Sequence, residues 1–282
     1  MGTDTIKNIA AYKFVDTPER FIQEIRLPLR DYLRRIGARG TVILSTEGIN
    51  LFLSGTESVI DAAWNCITGY APYADLALKE SYSESIAFNR MLVKIKEYII
   101  PVDVEDVRPV ERTGPRIDPR TLKEWLDEGK DVTLLDTRNI YEVKLGTFHN
   151  ALDLQLDTFR HFGDAVDQLD DSLKEKPVVM FCTGGIRCEK ASPIMMDLGF
   201  KEVYQLEGGI LKYFEEVGSD HYDGECFVFD HRVALNPALE ETDTAQCFMC
   251  QEPLTKEQQQ SDRYEVGKYC PYCYDKVVQA DD

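Results

Sequence analysis

The chain has 282 residues, of which 43% are hydrophobic and 29% charged, and it contains 12 prolines. This composition is that of a globular protein and excludes a fibrous or largely disordered one, and the length suffices for two domains plus a small module. The formal net charge is −18 at pH 7, so a nucleic-acid partner would require locally basic surface.

Neither export nor a membrane position is expected. The longest apolar runs are too short to cross a bilayer, and residues 1–10 lack the basic start and apolar core of a signal peptide. Eight cysteines are too few for a disulfide scaffold in a chain of this length, and their clustering favours thiol and metal chemistry. We therefore expect a cytoplasmic protein without a membrane partner.

Residues 1–100 predict an α/β domain. The expected elements are strands at 9–15, 41–45, 51–53 and 92–95 and helices at 18–36 and 57–67. The order β-α-β-β-α-β is that of a ferredoxin-like domain. Glu47 and Asn50 are candidates for function, although a turn role for Gly48 and Asn50 is favoured.

Residues 101–117 are expected to form a linker, because they carry three prolines, a glycine and several charges without a sustained period. Strands and helices then alternate over residues 118–220, which predicts a doubly wound α/β domain with a parallel sheet. Asp118 and Pro119 begin its first helix, which Gly129 ends. The other expected elements are strands at 132–135, 177–181 and 203–206 and helices at 157–169 and 189–198, the last distorted by Pro193.

The strand at 177–181 leads directly into Cys182, two glycines and Arg187. Sites in open α/β sheets lie at the carboxyl ends of strands, which is where this cysteine stands. Gly184 and Gly185 allow the backbone to turn tightly, so that N–H groups converge above a helix N-terminus. Such a loop, with Arg187 beside it, favours an anion and lowers a thiol pKa. We predict Cys182 as a nucleophile reachable from solvent; the alternative is an unreactive buried cysteine.

The loop that Cys182 opens is one residue shorter than the Cys-x5-Arg loop of cysteine phosphatases, so it suits a single sulfur or a small anion better than a phosphate. The remaining loop residues, predicted to bind the anion, are Thr183, Gly184, Gly185, Ile186 and Arg187. This loop resembles the active-site loop of the rhodanese-like domain family. The resemblance implies a persulfide on Cys182, held by the N–H groups of the loop.

Other stretches are similar to rhodanese-like domains as well, including Asp136-Thr137-Arg138 and the Gly-Gly turn at residues 207–210. Asp136 and Arg138 follow a buried strand, where charges are usually paired, so we predict a structural or supporting role for both. Cys188 either resolves an oxidised Cys182 or packs in the first helical turn.

Residues 221–282 are expected to form a C-terminal extension with a metal module. Two Cys-x-x-Cys motifs, separated by 19 residues, place four candidate ligands together: Cys247, Cys250, Cys270 and Cys273. Four thiolates at this spacing can close a tetrahedral zinc site, and a segment with a thin core needs such a crosslink. A closed shell would make the zinc structural. Two redox-active Cys-x-x-Cys motifs are the alternative.

Two groups of arginines could provide the basic surface. The first group comprises Arg26, Arg30, Arg34, Arg35 and Arg39, and the second comprises Arg108, Arg112, Arg116 and Arg120. A solvated helix face and a solvated linker explain these groups equally well. Charge alone leaves the partner undecided.

Over nearly its whole length the chain resembles the rhodanese-domain tRNA uridine hydroxylases. The specific similarities are residues 47–50, 182–190 and 224–230 and the two Cys-x-x-Cys motifs, whereas the C-terminal residues 279–282 lack the basic tail expected in relatives. The resemblance implies that the wobble uridine in the anticodon loop of tRNA is converted to 5-hydroxyuridine with O2 as cosubstrate and an unidentified electron donor.

The residues themselves supply only part of that mechanism. Cys182 could form a transient adduct with the uracil ring or carry an oxidised sulfur species. Neither a two-histidine-one-carboxylate set nor a Gly-x-Gly-x-x-Gly fingerprint is recognisable, so no nucleotide or flavin cofactor is identified. Two alternatives stay open: a sulfurtransferase that passes sulfane sulfur from Cys182 to an acceptor, and a non-catalytic binding module.

Overall fold

The computed structural model describes residues 5–278, so the C-terminal residues 279–282 discussed above lie outside the described part. The chain divides into two compact units between Thr113 and Gly114. Both units are α/β, which confirms the predicted fold class. No helix within residues 5–278 combines the length and the apolar character that a bilayer crossing requires.

The N-terminal unit is a five-stranded sheet packed against two helices. Its elements are β1 (Ile6–Phe14), α1 (Glu19–Arg35), β2 (Arg39–Ser45), β3 (Gly48–Thr56), α2 (Glu57–Thr68), β4 (Lys79–Ser83) and β5 (Met91–Ile95). The strand order is β4-β1-β3-β2-β5, with β5 parallel to β2 and the other pairs antiparallel. Helix α1 buries Ile22, Ile25, Leu29 and Leu33, whose spacing places them on one helical face towards the core.

Residues 92–95 are predicted to supply the last strand of the βαββαβ pattern, and this assignment is wrong. Residues 92–95 belong to β5, an additional strand at the β2 edge, and β4 takes the place beside β1. The residues of β4 alternate between half-buried and exposed, and they include Lys79 and Glu80. A solvated edge strand of this kind carries no run of apolar residues, so hydrophobic pattern did not mark it.

The Glu47-Gly48-Ile49-Asn50 stretch shapes the β2–β3 connection and the chain that follows β5. Gly48 has a φ of +141°, and a Cβ there would lie 2.0 Å from the carbonyl oxygen of Lys13. The carboxylate of Glu47 accepts a hydrogen bond from the Ile99 amide at 2.6 Å, and the Asn50 side chain donates to the Ile99 carbonyl at 3.3 Å. Gly48 and Asn50 both lie within β3, which corrects the turn role predicted for them.

The second unit begins with a five-stranded parallel sheet in the order β6-β11-β10-β7-β9. Its elements are β6 (Arg116–Ile117), α3 (Pro119–Asp127), β7 (Thr133–Asp136), α4 (Ile140–Val143), β8 (Gly146–Phe148), β9 (Leu152–Asp153), α5 (Phe162–Asp167), β10 (Pro177–Phe181), α6 (Ile186–Asp197), β11 (Glu202–Leu206) and α7 (Gly209–Val217). Central strand β10 is buried over Val178–Phe181 because β7 and β11 flank it and helices cover the sheet.

Several local expectations for this unit are corrected. The end of the predicted linker is regular, since residues 116–117 form edge strand β6. The helix expected at 157–169 is reduced to a 3-10 turn and the six residues of α5. Helix α6 starts at Ile186, three residues before the predicted start, and runs through Pro193 without interruption. The predicted N-cap is confirmed, because the Asp118 carboxylate accepts hydrogen bonds from the first turn of α3.

The C-terminal part of this unit consists of short elements. They are β12 (Tyr222–Gly224), β13 (Cys226–Phe227), β14 (Ala234–Leu235), β15 (Ala245–Gln246), β16 (Pro253–Leu254), α8 (Lys256–Gln259) and α9 (Tyr274–Val278). Strand β12 pairs with β8, and the β13–β14 and β15–β16 pairs form two antiparallel hairpins. The buried cluster around the second hairpin consists of Leu254 and three cysteines, so this segment has a thin apolar core.

Gly48→Ala should destabilise the N-terminal unit more than Gly37→Ala. Gly37 has a φ of +90°, and no atom lies within 4 Å of the position that a Cβ would take, so alanine there costs about 1–2 kcal/mol of backbone strain alone. Alanine at Gly48 adds a clash with the β1 backbone, and we expect a loss above about 3 kcal/mol. Urea unfolding followed by Trp64 fluorescence in a Trp125→Phe background measures both; equal losses would contradict the close approach to Lys13.

Candidate active site

Cys182 lies at the carboxyl end of β10, between the strand and helix α6. Gly185 precedes the helix with a φ of +99°, a left-handed conformation that glycine adopts without strain. This turn directs the Gly185 N–H to the Cys182 Sγ at 3.0 Å. The Cys182 carbonyl accepts from the Ile210 N–H at 3.0 Å, which fixes the loop against the start of α7. The sulfur therefore occupies the N-terminus of α6, where an anion is stabilised.

The side chain of Arg187 does not extend towards an open anion site. Its Nη1 and Nη2 donate to the two carboxylate oxygens of Glu142 at 2.6 and 2.7 Å, and both side chains are buried. Sequence reasoning did not assign Glu142 to the site. Two signals in the sequence touched Glu142: the similarity of Tyr141-Glu142 to rhodanese-like domains, and the Asn139-x-x-Glu142 capping-box pattern at the start of α4. Neither predicts the partner of the carboxylate.

The electrostatic environment favours a thiolate at Cys182 and a thiol at Cys188. Burial raises the pKa of Cys182, but the hydrogen bond from Cys188, the positive charge of Arg187 and the N–H groups of Arg187 and Gly185 together hold that pKa well below its ordinary value. Burial and the hydrogen bond to Cys182 raise the pKa of Cys188 well above its ordinary value. Cys188 thus donates to the sulfur that carries the charge.

The expectation of a solvent-accessible nucleophile is wrong for this conformation. Cys182 is 1% exposed and Cys188 is fully buried. The neighbouring Thr183 hydroxyl donates to the Phe227 carbonyl at 3.2 Å, which ties the loop to β13. A substrate can reach the sulfur only if some of these neighbouring groups move.

Asp136 and Arg138 form a fully buried ion pair beside this loop. The Arg138 Nη2 donates to Asp136 at 2.6 Å and to the Gly146 carbonyl at 2.6 Å, while the Thr147 hydroxyl donates to Asp136 at 2.8 Å. Asp136 pairs in register with Phe181, the residue before Cys182. The geometry places the pair next to the site and links the end of β7 to β8; its supporting role stays a prediction.

Three aromatic rings line one side of the loop. The Phe227 ring lies between Tyr141 and Phe229 in edge-to-face contacts, with centroid distances of 5.2 and 5.1 Å. The Arg187 Cζ lies 5.7 Å from the centroid of the Phe229 ring, within the range of a cation–π contact. Phe227 and Phe229 fall in the 224–230 stretch that marked the family resemblance, but no local pattern distinguished them as site residues.

The four C-terminal cysteines come together as predicted. Their Sγ atoms all lie within 4.8 Å of one another, with Cys247–Cys273 at 3.9 Å and Cys250–Cys270 at 3.5 Å. A disulfide requires about 2.0 Å, whereas four thiolates around a tetrahedral metal ion with bonds of about 2.3 Å stand about 3.8 Å apart. This cluster can hold a metal, and it is the one such group of three or more ligand residues within residues 5–278.

Most of the arginines in the two basic groups have protein partners. Arg26 and Arg34 donate to the carbonyl oxygens of Val93 and Met91 on β5, at 3.3 and 3.2 Å, and so cover the outer edge of that strand. In the second group, Arg108 pairs with Asp16, Arg116 with Glu189 and Arg120 with Glu216. These three arginines stay 50%, 56% and 71% exposed, and pairs as exposed as these are weak.

The depressed pKa of Cys182 predicts a thiolate at pH values below the ordinary thiol pKa of about 8.5. The difference in absorbance at 240 nm between the wild type and Cys182→Ser should show this thiolate, and acidification should abolish the difference. Cys226→Ser is the matched control, since burial raises the pKa of Cys226 to about 12 and its difference signal should appear only in strong alkali. A Cys182 midpoint at or above that of a free thiol would contradict the proposed stabilisation.

Comparison with known proteins finds one matching family in each unit. Residues 6–99 match the family described as UPF0176 acylphosphatase like domain, and residues 118–216 match the Rhodanese-like domain. The solution structure of a rhodanese-like domain from Anabaena is 24% identical and covers 40% of this chain and 80% of that one, with a TM-score of 0.34.

Two relatives match almost end to end. The tRNA uridine(34) hydroxylase of Cupriavidus taiwanensis is 50% identical over 273 residues, which is 95% of this chain and 96% of that protein. The tRNA uridine(34) hydroxylase of Cupriavidus metallidurans is 48% identical over 280 residues, which is 98% of this chain and 99% of that protein. Identity at this level over almost the whole length shows that the chain belongs to the tRNA uridine(34) hydroxylase family.

Proposed function

We propose that this protein hydroxylates the wobble uridine at position 34 of tRNA to 5-hydroxyuridine, with Cys182 as the reacting side chain. Membership in a family whose relatives are named for this reaction supports the substrate and the reaction type. The observation that carries the assignment of the site is the Gly185 N–H donating to the Cys182 sulfur at the start of α6. A hydrogen bond to the sulfur favours the thiolate, which is the nucleophilic form of cysteine.

The thiolate can activate the uracil ring by addition. Attack of the Cys182 sulfur on C6 would form a C–S bond and move the electron pair of the C5–C6 double bond to C5, which then reacts with an oxygen electrophile. One atom of O2 becomes the hydroxyl group on C5, and the other leaves as water with two electrons and two protons from an electron donor. Loss of the C5 proton and departure of the thiolate restore the double bond and the free cysteine.

The neighbouring groups are suited to such a cycle. Arg187 and the two N–H groups stabilise the negative charge on the sulfur, which makes the thiolate a competent leaving group in the last step. Cys188 donates to the same sulfur and could return a proton to it or resolve an oxidised form. An unpaired base of the anticodon loop can turn out of its stack and enter a protein site without the cost of opening a duplex.

The cysteine cluster fits a zinc ion with a structural role. All four ligand positions would be filled by Cys247, Cys250, Cys270 and Cys273, which leaves no open position for substrate. Metal binding would crosslink the β15–β16 hairpin to the start of α9, in a segment whose apolar core is small.

Cys182→Ser should abolish the modification. In cells that lack the endogenous protein, tRNA nucleosides after complementation with this variant should contain less than about 1% of the wild-type 5-hydroxyuridine by mass spectrometry, because a hydroxyl group at this position is a far weaker nucleophile. Cys66→Ser, which alters a half-buried cysteine of α2 in the other unit, should retain full modification.

Two outcomes of this experiment would contradict the proposal. Full modification by Cys182→Ser would show that the cysteine is not required. Normal tRNA in cells without the protein, combined with stoichiometric persulfide formation on Cys182 after exposure to thiosulfate, would identify a sulfurtransferase instead. Wild-type cells grown without oxygen should lack 5-hydroxyuridine if O2 supplies the hydroxyl oxygen.

The purified chain should contain about one zinc ion per molecule. Cys270→Ser, which removes a buried ligand, should lower the zinc content measured by elemental analysis below about a tenth of that value and should expose the 245–278 segment to proteolysis. Cys226→Ser is the control with a buried cysteine outside the cluster, and it should keep its metal. Retention of zinc after loss of a cluster cysteine would contradict the assignment.

A further inference from the structure

Phe229 combines an exposed aromatic side chain with a position beside the reactive loop. Its side chain is 46% exposed, whereas Phe227, on which it packs, is 3% exposed. Tyr141 supports Phe227 from the other side at 5.2 Å. Single exposed apolar side chains are common on protein surfaces and alone indicate nothing. This ring differs because its support and its neighbours belong to the candidate active site.

Two contacts connect the ring to the loop that holds the sulfur. The guanidinium of Arg187 lies beneath the ring at 5.7 Å, and Arg187 is the last residue of the loop that Cys182 opens. The Thr183 hydroxyl donates to the Phe227 carbonyl at 3.2 Å, which fixes the strand that precedes the ring. The half-exposed Phe229 side chain thus lies beside the loop.

The backbone that carries the ring is well supported. Phe229 lies in the connection between β13 and β14, where the Val228 N–H donates to the Val233 carbonyl at 2.8 Å. Within the same connection Arg232 pairs with Asp230 at 2.6 Å, and both side chains are only 7% exposed. A ring held in this way loses little conformational entropy when it stacks on a ligand.

We propose that the exposed face of Phe229 is the stacking platform for the uracil base at position 34, an inference that rests on the function proposed above. Unstacked bases of RNA loops are commonly bound by aromatic rings, and every base offers a flat face for this contact. The net charge of −18 weakens phosphate attraction as a source of affinity, and most of the arginines in the two basic groups already contact a carbonyl or a carboxylate of the protein. Stacking supplies an affinity that does not depend on charge.

The contact between the Phe229 ring and the base at position 34 is tested by a binding cycle in which the ring and the base are removed separately and together. The two RNAs are an anticodon stem-loop with uridine 34 and the same stem-loop with an abasic site at 34. Both are titrated at fixed salt by fluorescence anisotropy into Cys182→Ser, which prevents turnover. Removal of the base should weaken binding about ten-fold in this background. When Phe229→Ala is added, the two RNAs should bind within about two-fold of each other, because the stacking partner is gone.

Further variants distinguish the effect of the aromatic ring of Phe229 from the effect of its apolar volume. Phe229→Trp should preserve the base dependence, whereas Phe229→Leu, which keeps apolar volume without a π-face, should lose most of it. Tyr82→Ala removes a ring that is 51% exposed on β4 in the other unit, and it should leave the ten-fold difference unchanged. Circular dichroism and urea unfolding establish that each variant is folded.

The outcomes distinguish this inference from the proposed function. The proposed role of Phe229 is overturned if the Phe229→Ala variant keeps the full preference for the uridine-containing RNA. It is also overturned if Cys182→Ser alone shows no preference between the two RNAs or no measurable binding. If Cys182→Ser still modifies tRNA in cells, the catalytic role of Cys182 is rejected. The binding measurements still decide the role of Phe229, because they report RNA affinity and not modification. If the wild type modifies tRNA normally but the cycle shows no coupling, only the role of Phe229 is rejected.

Discussion

The buried ion pair between Arg187 and Glu142 is the interaction on which the site depends. It joins the first turn of α6 to the first turn of α4 through two hydrogen bonds of 2.6 and 2.7 Å. Removal of one partner from such a pair costs about 3–5 kcal/mol, because the other charge stays buried without compensation. The pair therefore fixes a guanidinium near Cys182 and, at the same time, supports the Phe229 ring from below.

Glu142 and the N–H groups at the start of α6 bind different partners in the site. Glu142 holds the Arg187 guanidinium in place within the fold, while the N–H groups at the start of α6 stabilise the sulfur. The thiolate thus has donors on its own loop and does not compete with Glu142 for them. Cys188 adds a neutral donor, since its own pKa is raised by burial and by the charge on Cys182. A single negative charge is shared by several dipoles, which is the arrangement that an anionic leaving group requires.

Local sequence patterns predicted the parts of the site that are themselves local. The loop from Cys182 to Arg187, the cysteine cluster and the N-cap at Asp118 each depend on residues close in the chain or on a known ligand spacing. Glu142 escaped prediction because it lies 45 residues from Arg187, and only the packing of α4 against α6 brings them together. The burial of Cys182 was missed for the same reason, since the strand that covers its loop comes from residues beyond 220.

The fold shows the same limit. Strands with strong apolar patterns, such as β10, were placed within one or two residues, whereas the polar edge strand β4 was not found and β5 was taken for it. An edge strand is specified by the partner it pairs with more than by its own composition. Family resemblance supplied the reaction, but it could not supply the contacts around the sulfur.

The most direct test of this account is the titration of Cys182 when the ion pair is removed as a unit. In Glu142→Gln/Arg187→Gln both charges disappear together, so no lone charge is left buried. We expect the Cys182 thiolate midpoint, measured at 240 nm against the same double variant with Cys182→Ser, to rise relative to the wild type, because Arg187 is the charged group that lowers the pKa of Cys182 and the loss of its charge outweighs the loss of the Glu142 charge. A midpoint equal to or lower than that of the wild type would contradict it.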